Sequence, residues 1–534
     1  MALRSAACVC LFALLLFSCL AGSTGAVTIH IPSGEPTLKA ALVTAEDGDT
    51  LIVAPGNYSG VGFQDIDFGG KAIWLKSFKG PAATTIDCQG SVIDPHRAFW
   101  LHQGEDSTTI IEGFRFINGY GVFDGPEGKS IGGAILCDSS SPAIIDCLFS
   151  DNNAGFAGGA IACLNGSDPI ISECQIIRNR AHDNTGTSIT TYGGGIYCDE
   201  SSPSIRTTEI SDNRAHFGGG LALIRSAAVL DQCRLDDNSA DLAIDSTGEV
   251  AAGYGGGLYL FEASPILTKC ILTGNVAVND SCLGCADTAI GGGLIAFGGA
   301  PVIRECTFFG NAAYLDNDEL TGLGSALALI DTEAEIERSV LAFNYGRGAV
   351  ACLGSDPSLL PYFTCCDIFG NQGGDWIEAI VDQLGVEGNI AQDPMFCDTA
   401  VRRLSLHQES PCAAESNSCG LRIGALDVNC FTSVDEQSSG RDNLSLATRN
   451  FPNPFNAATT IEYTVPRRSR VSISVLNLLG QTVRELTEEI KSPGVYSLIW
   501  NGRIRDGSVA ATGVYFYRLR IGDNIHTRKM ILLK

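Results

Sequence analysis

A repeat of short strand-forming segments constrains the fold of this chain more than any other feature. Seven segments run from a proline or alanine to an asparagine ten residues later. These asparagines are Asn152, Asn179, Asn213, Asn238, Asn275, Asn311 and Asn344, and Asn371 stands in the same way ten residues after Pro361. A glycine-led apolar stretch, for example residues 158–163 or 193–198, precedes each segment. A unit of roughly 25 residues made of strands and turns cannot bury its own apolar face, so it must stack on its neighbours.

The stacking predicts an all-β parallel solenoid, in which equivalent residues of successive rungs lie about 4.8 Å apart. The asparagines are expected to form a ladder of side-chain amides along one turn, where they satisfy backbone groups. A second repeat position holds cysteine on six rungs: Cys147, Cys174, Cys233, Cys270, Cys306 and Cys366. Buried cysteine behaves as a small apolar side chain. Both columns are therefore interpreted as architecture rather than as chemistry.

The first 26 residues are typical of an export signal. Arg4 precedes an apolar run from Val9 to Leu20, and small residues follow it. That run is too short to span a membrane, and no other stretch approaches the necessary length. The sequence therefore predicts an exported chain without a transmembrane segment, in a compartment where disulfides persist.

Cysteines outside the repeat columns are expected to form such disulfides. Cys282 and Cys285 are predicted to pair as a local staple within a long loop. Four cysteines near the end of the solenoid are expected to crosslink its closing cap, with the connectivity left open: Cys397, Cys412, Cys419 and Cys430.

Charge is distributed unevenly along the chain. The net charge is −25 overall, but residues 443–534 carry +7 and the preceding residues carry −32. This shift indicates two bodies with different surfaces. The strongly acidic larger part excludes nucleic acid as a partner, because no broad basic face is available to neutralise phosphates.

The start of the predicted solenoid resembles a known superfamily. Residues 29–60 read IHIPSGEPTLKAALVTAEDGDTLIVAPGNYSG, and residues 70–90 read GKAIWLKSFKGPAATTIDCQG. The pattern of a short helix over residues 38–45, followed by GDT, a hydrophobic residue and VAPGxY, is similar to the pectate-lyase-like, right-handed parallel β-helix superfamily. The resemblance spans about residues 27–430 and implies that fold. It does not specify an activity, since the superfamily includes lyases, hydrolases, epimerases and adhesins.

The last 90 or so residues contain a different set of motifs. Asn453-Pro-Phe-Asn456, Trp500-Asn-Gly502, Gly513-Val-Tyr-Phe-Tyr517 and the final Lys529-Met-Ile-Leu-Leu-Lys534 resemble the C-terminal sorting domain of type IX secretion. They are equally similar to the Ig-like fold of flagellar hook-capping proteins. The resemblance implies a small Ig-like β-sandwich that engages the outer-membrane secretion machinery. It also implies a secreted chain, either released or anchored at the outer-membrane surface.

These features predict six successive regions. They are a signal peptide (1–26), an N-terminal cap with the first rungs (27–130), regular rungs (131–375), a Cys-rich closing cap (376–430), a linker (431–450) and the C-terminal sorting domain (451–534).

The longest connections between rungs all enter at one corner, after the asparagine. Residues 180–192, 239–254, 276–290 and 312–323 form them, and they are rich in carboxylates and tyrosines. Stacked loops on one edge of a solenoid form its expected functional face. The candidate binding residues on this edge are Asp183, Tyr192, Asp241, Asp245, Tyr254, Asp280, Asp287, Asp316 and Asp318. Such groups can bind an extracellular glycan, or Ca²⁺ at Asp280 and Asp287, although a simply solvated acidic face is an alternative.

No catalytic pattern accompanies these loops. We find neither a column of aspartates facing a basic column, as a β-helix lyase requires, nor carboxylates paired for glycoside hydrolysis. Asp94-Pro95-His96 is only a fragment of an alginate-epimerase motif. The favoured interpretation is a surface or secreted protein that binds extracellular polysaccharide or a surface partner without catalysis. The alternatives are a polysaccharide lyase or glycoside hydrolase, and a purely structural surface protein.

Overall fold

The computed structural model divides the chain into two compact units, Met1–Thr432 and Ser433–Lys534. It describes residues 25–123, 128–183, 190–241, 243–244, 250–251, 253–279, 289–315, 322–354, 356, 358–430, 448–451, 455–456, 458–465, 469–477, 482–491, 494–505, 508–511, 513–521 and 524–533. Most of the predicted signal peptide, most of the predicted linker, and Cys282 and Cys285 lie outside the described residues.

The first unit is a stack of parallel sheets that run along one solenoid axis. Sheet I consists of Thr28–Ile31, Thr50–Val53, Trp74–Ser77, Ile110–Glu112, Ala143–Ile145, Ile170–Ser172, Ser204–Arg206, Val229–Asp231, Ile266–Thr268, Val302–Arg304, Glu335–Glu337 and Tyr362–Thr364. Sheet II consists of Gly56–Ser59, Thr84–Asp87, Arg115–Ile117, Leu148–Ser150, Gln175–Ile177, Glu209–Ser211, Arg234–Asp236, Ile271–Thr273, Thr307–Phe309, Val340–Ala342 and Asp367–Phe369. Sheet III consists of Asn153–Ala154, Arg180–Ala181, Arg214–Ala215, Ser239–Ala240, Val276–Asn279 and Ala312–Leu315. Sheet IV consists of Phe99–Leu101, Ile135–Asp138, Ile161–Leu164, Ile196–Asp199, Leu221–Ile224, Leu258–Phe261, Leu294–Phe297, Leu327–Ile330 and Val350–Leu353.

Each regular rung passes through sheets IV, I, II and III in that order, and every pairing within these sheets is parallel and in register. Ile144, for example, pairs with Ile171, which pairs with Ile205 on the next rung. The central residue of each three-residue strand of sheet I is buried, as are Phe149 and Ile176 of sheet II. The all-β parallel solenoid expected from the repeat is confirmed.

The asparagines form a continuous ladder inside the turn between sheets II and III. Asn238 Oδ1 accepts hydrogen bonds from the backbone N–H of Asn213 (3.1 Å) and from its Nδ2 (3.0 Å). Asn238 Nδ2 in turn donates to the carbonyl oxygen of Ile210 at 2.8 Å and to Asn275 Oδ1 at 2.9 Å. The same pattern links Asn152 to Asn371 through each intervening member. Each buried amide is therefore satisfied by its neighbours, which is what permits a polar column inside the solenoid.

The cysteine column lies at the turn between sheets I and II and forms hydrogen bonds with the backbone there. Cys270 Sγ donates to the carbonyl oxygen of Thr268, two residues earlier, at 3.4 Å. Thr208 makes the equivalent bond to Arg206 at 2.8 Å, and Ser339 to Glu337 at 3.0 Å. Burial raises the pKa of the Cys270 thiol well above its usual value. The column therefore selects a small side chain that can donate to a carbonyl two residues back.

Glycines before sheet IV permit close approach between rungs. A Cβ on Gly219 would lie 2.4 Å from the backbone of Ser239 and 2.5 Å from the carbonyl oxygen of Gly256. No side chain fits into that space, so the glycine-led stretches mark the places where backbones of adjacent rungs nearly touch.

Both ends of the solenoid core are covered. At the N-terminal end the helix Leu38–Thr44 buries Leu38, Ala41 and Leu42, and Thr37 caps its first turn. At the other end, the 3₁₀ helix Glu378–Gln383 buries Ile380, and Trp376 packs beside it against the same core.

The segment that follows lies along the outer face of sheet II as a strap, which we define as residues 394–430. It contains the strands Phe396–Asp398, Arg403–His407 and Val428–Cys430. Arg402 contacts Asp237, the amide of Ala425 donates to Thr307 Oγ1, and Cys412 contacts Asp367. The predicted closing cap therefore covers a side of the solenoid as well as its end.

Two disulfides hold the strap, and they differ in part from the predicted set. Cys397 pairs with Cys430, and Cys419 pairs with Cys365. Cys412 is a buried free thiol, so its expected crosslinking is wrong. Its place is taken by Cys365, which stands beside the cysteine column at a turn with positive φ and thus points outward toward the strap.

The second unit consists of antiparallel sheets. One contains Thr448–Phe451, Thr459–Val465 and Gly494–Trp500. The other contains Phe455–Asn456, Ser469–Leu476, Thr482–Lys491, Gly513–Ile521 and Asn524–Leu533. Their shared core includes the fully buried Trp500 and Tyr517. Among the described residues of the whole chain, no helix has the length and apolar character needed to cross a membrane.

Candidate functional site

The predicted functional edge begins where sheet III ends, and the structure describes part of it. Asp183, Tyr192, Asp241 and Tyr254 are described, whereas Asp245, Asp280, Asp287, Asp316 and Asp318 lie outside the described residues. The described part contains a cleft of about 190 Å³. It is lined by Arg180, Ala181, His182, Thr191, Arg214, Ala215, His216 and Asp241.

A difference in connection length explains why the cleft lies on this rung. From Asn213 to Gly220 the chain advances 7 residues, whereas the connections from Asn179 to Gly195 and from Asn238 to Gly257 take 16 and 19. Arg214 and His216 therefore occupy a rung without an insertion, between two rungs that have one. We call this opening the short-rung cleft. Its floor is the buried alanine pair Ala181 and Ala215 of sheet III.

Two arginines on adjacent rungs give the short-rung cleft its charge. Arg180 and Arg214 pair in register in sheet III, and both side chains are exposed. Arg214 Nε lies 2.6 Å from Asp241 Oδ2, and Asp241 also accepts a hydrogen bond from Ser239 Oγ at 3.0 Å. Among the residues that the structure describes, no carboxylate forms an ion pair with Arg180. Like charges stacked directly on neighbouring strands repel each other, so this arrangement favours an anion between or beside the guanidinium groups.

Two histidines stand two residues after the arginines. His182 is exposed, whereas His216 is almost fully buried. The backbone N–H of His216 donates to Thr191 Oγ1 at 3.1 Å, which ties the short rung to the rung before it. Arg180 and His182 are thus exposed, while the buried Thr191 and His216 complete the lining of the cleft.

The tyrosines predicted as binding residues belong to an aromatic ladder beside the cleft. Backbone bridges place Tyr192, Phe217 and Tyr254 at one position on successive rungs. The ring centroids of Tyr192 and Phe217 lie 5.0 Å apart, and those of Phe217 and Tyr254 lie 5.5 Å apart with nearly parallel planes. The ladder packs on Tyr197 and Tyr259 of sheet IV, and burial raises the pKa of Tyr192. Tyr192 and Tyr254 are half-buried, so the structure places them mainly as support for the cleft wall.

The described residues hold no group of three or more His, Cys, Asp or Glu side chains arranged to bind a metal ion. Both aspartates proposed for Ca²⁺, Asp280 and Asp287, lie outside the described residues. Ca²⁺ binding there stays a prediction from the sequence.

Sequence reasoning missed the basic half of this site. It selected carboxylates and tyrosines in the insertions, whereas the residues that line the cleft include Arg180, His182, Arg214 and His216. A signal was present, because Arg-Ala-His occurs directly after two consecutive ladder asparagines, Asn179 and Asn213. In-register stacking of equivalent residues would have brought these two tripeptides together.

Family comparisons match both units of the chain. Residues 98–252 match the family described as right handed beta helix region. Residues 449–533 match the family described as secretion system C-terminal sorting domain. Both resemblances expected from the motifs are confirmed, and so is export across the outer membrane. No curated protein matches the chain in sequence.

Solved structures give two further comparisons. The crystal structure of pectate lyase Pel9A aligns with a TM-score of 0.39 and 12% identity, over 76% of this chain and 98% of that chain. The enzymatically active domain of bacteriophage CBA120 tailspike protein 4 aligns with a TM-score of 0.29 and 12% identity, over 91% of this chain and 63% of that chain.

Proposed function

Because this exported chain contains a right-handed β-helix region and a C-terminal sorting domain, we propose that it binds extracellular polysaccharide through the short-rung cleft. The favoured ligand is a polysaccharide that carries carboxylate or sulfate groups. The observation that carries the proposal is the stacked pair Arg180 and Arg214, of which only Arg214 meets a carboxylate among the described residues.

The chemistry of the lining supports an anionic group of a larger ligand. Two arginines on strands about 4.8 Å apart can each donate from their guanidinium groups to one carboxylate or sulfate. Thr191 and His182 add polar groups at the sides of the cleft. Asp241 limits the positive charge of the cleft by pairing with Arg214.

The direct test is binding of the full secreted chain to immobilised polygalacturonate, alginate and dextran sulfate, with neutral dextran as the reference. We expect binding to at least one charged polymer, weaker binding in high salt, and about tenfold weaker binding by Arg180→Ala. Arg206→Ala is the matched control, because Arg206 is an exposed arginine of sheet I, away from the cleft. Equal binding by Arg180→Ala and the unaltered chain would refute the proposal.

The same samples also test for catalysis. Release of new reducing ends or of unsaturated uronates from a bound polymer would favour the lyase or hydrolase alternative. Binding without either product supports a binding protein.

A further inference from the structure

A second cleft, of about 340 Å³, lies between the strap and the corner that joins sheets II and III. It is lined by Phe309, Gly310, Phe343, Tyr345, Thr399, Ala400 and Arg402. Unlike the short-rung cleft, its lining includes three aromatic rings, those of Phe309, Phe343 and Tyr345. We call it the strap pocket.

The aromatic wall of the strap pocket is fixed in place. The rings of Phe309 and Phe343 lie 5.8 Å apart, edge to face, and Phe309 also packs on Phe396 of the strap at 5.7 Å. Tyr345 has 49% of its surface exposed. The ring of Tyr345 is therefore exposed to solvent, beside phenylalanine rings that are packed against one another.

The opposite wall is equally well anchored. Arg402 forms two ion-pair contacts of 2.7 Å with Asp237, one from each terminal guanidinium nitrogen. Its backbone N–H donates to the carbonyl oxygen of Thr399 at 3.2 Å, which closes the turn that carries Thr399 and Ala400. The guanidinium is thus neutralised, and this pocket lacks the unpaired positive charge of the short-rung cleft.

Backbone pairing places the two clefts on one face of the solenoid. The position of Arg214 is followed on successive rungs by Ser239, Val276, Ala312 and Tyr345. Four rungs separate Arg214 from Tyr345, which is about 19 Å at the spacing of parallel strands. An extended ligand that runs along the axis can therefore reach both clefts.

We infer that the strap pocket is a second subsite, which takes the apolar face of an uncharged part of a sugar ring further along the same polysaccharide chain. This inference rests on the proposed function. An exposed tyrosine ring gives an apolar surface and one hydroxyl group, which suits a sugar ring with an apolar face and a polar rim. Simultaneous occupation of both clefts strengthens binding only for a chain long enough to span them.

The experiment measures the affinity of the full secreted chain for oligogalacturonates and dextran sulfate fragments of graded length. For fragments longer than about 19 Å, we expect Tyr345→Ala to reduce the binding affinity about tenfold. For shorter fragments, we expect the affinity to be unchanged. Tyr345→Phe should retain most of the affinity, since it keeps the ring. Tyr362→Ala, which removes an exposed tyrosine from sheet I, is the matched control.

The outcomes separate the inference from the proposed function. Arg180→Ala should weaken binding of short and long fragments alike, and failure of that result, or of all binding, would refute the proposed function. If Arg180→Ala behaves as expected but Tyr345→Ala changes nothing, or weakens short and long fragments equally, the second subsite is refuted. Displacement of long fragments by an aromatic peptide, without dependence on fragment length, would instead identify a protein partner and also refute it.

Discussion

Two neighbouring columns of the repeat differ sharply in what they tolerate. The first is the asparagine ladder, which keeps one residue type from Asn152 to Asn371. The second is the position directly after it, which changes on almost every rung: Asn153, Arg180, Arg214, Ser239, Val276, Ala312 and Tyr345. A position fixed by buried hydrogen bonds is thus followed directly by one that is exposed at Arg180, Arg214 and Tyr345. The contrast shows that residues which could bind a ligand can vary at the position after the ladder asparagine without destabilising the fold. The ladder position itself does not allow such variation.

The strongest test of this contrast is a substitution in the middle of the ladder. Asn238→Leu removes the side-chain partner of the Asn213 backbone N–H and of the Ile210 carbonyl. It also removes one hydrogen bond each from Asn213 Nδ2 and Asn275 Oδ1, which keep the Ile176 carbonyl and the backbone N–H of residue 238 as partners. Since an unsatisfied buried polar group costs about 1–3 kcal/mol, we expect a loss of about 4 kcal/mol or more, measured by urea unfolding. The control is Ser239→Ala, one residue further on, which should cost less than about 1 kcal/mol. Similar losses for the two variants would contradict the contrast.

A second test asks what happens when an outward position becomes covered. Asp367 stands in the outward column of sheet II that also holds Arg234, but the strap buries it, and burial raises its pKa to about 7. An unfolded aspartate has a pKa of about 3.9, so between about pH 4 and pH 7 the folded chain keeps a proton that the unfolded chain releases. The contribution of Asp367 to stability therefore falls as pH rises through this window and is constant above it.

Asp367→Asn removes that contribution. We expect the variant to gain stability relative to the unaltered chain as pH rises from 4 to 8, by on the order of 3 kcal/mol. The measurement is the difference between the two unfolding free energies at each pH, in which the other carboxylates cancel. A difference that is independent of pH would show that Asp367 is not the group that titrates.

The cysteine column provides a third and smaller test, because it also faces inward but tolerates several residue types. Cys270→Ser keeps a donor for the Thr268 carbonyl, as Thr208 and Ser339 do on their own rungs, so we expect a cost of about 1 kcal/mol. Cys270→Val keeps the apolar volume but loses the donor, with an expected cost of about 2 kcal/mol. Thermal and urea unfolding of both variants measure the order. The opposite order would show that volume, and not the hydrogen bond, selects cysteine here.

The smallest effect on stability is expected at the binding position itself. Arg180→Ala removes an exposed side chain that repels Arg214 and has no carboxylate partner among the described residues. Its unfolding free energy should stay within about 0.5 kcal/mol of the unaltered chain, while polysaccharide binding falls. A large loss of stability would place Arg180 among the structural residues and weaken the argument for the short-rung cleft.

Much of this architecture was predictable because it is encoded at short range. Each rung repeats the spacing from Pro142 to Asn152, so strand order and the inward columns followed from the residues alone. The sorting domain was expected from the resemblance of its motifs to a known family. The strap was not predictable in its course, since the contact of Arg402 with Asp237 joins residues 165 positions apart. Cys365 was missed as a disulfide partner for the same reason.

The candidate site was predicted in position but not in chemistry. The edge was identified from the insertions, yet Arg180 and His182 stand at the start of the connection 180–192, and Arg214 and His216 stand on a rung without an insertion. Their significance depends on which rung lacks an insertion, and this becomes visible only when Arg180 and Arg214 are stacked.

The strap also has a consequence for how this molecule can change in length. It contacts five consecutive rungs, from Asp237, bound by Arg402, through Ile271, Thr307 and Val340 to Cys365, bonded to Cys419. Duplication or loss of a rung among these five would shift one anchor by about 4.8 Å relative to the other and break the contact of Arg402 with Asp237. Among the described residues, no hydrogen bond, ion pair or disulfide joins the strap to a rung before that of Asp237. Evolution by gain or loss of repeats is thus open to the N-terminal part of the solenoid, while the strapped part must change by substitution.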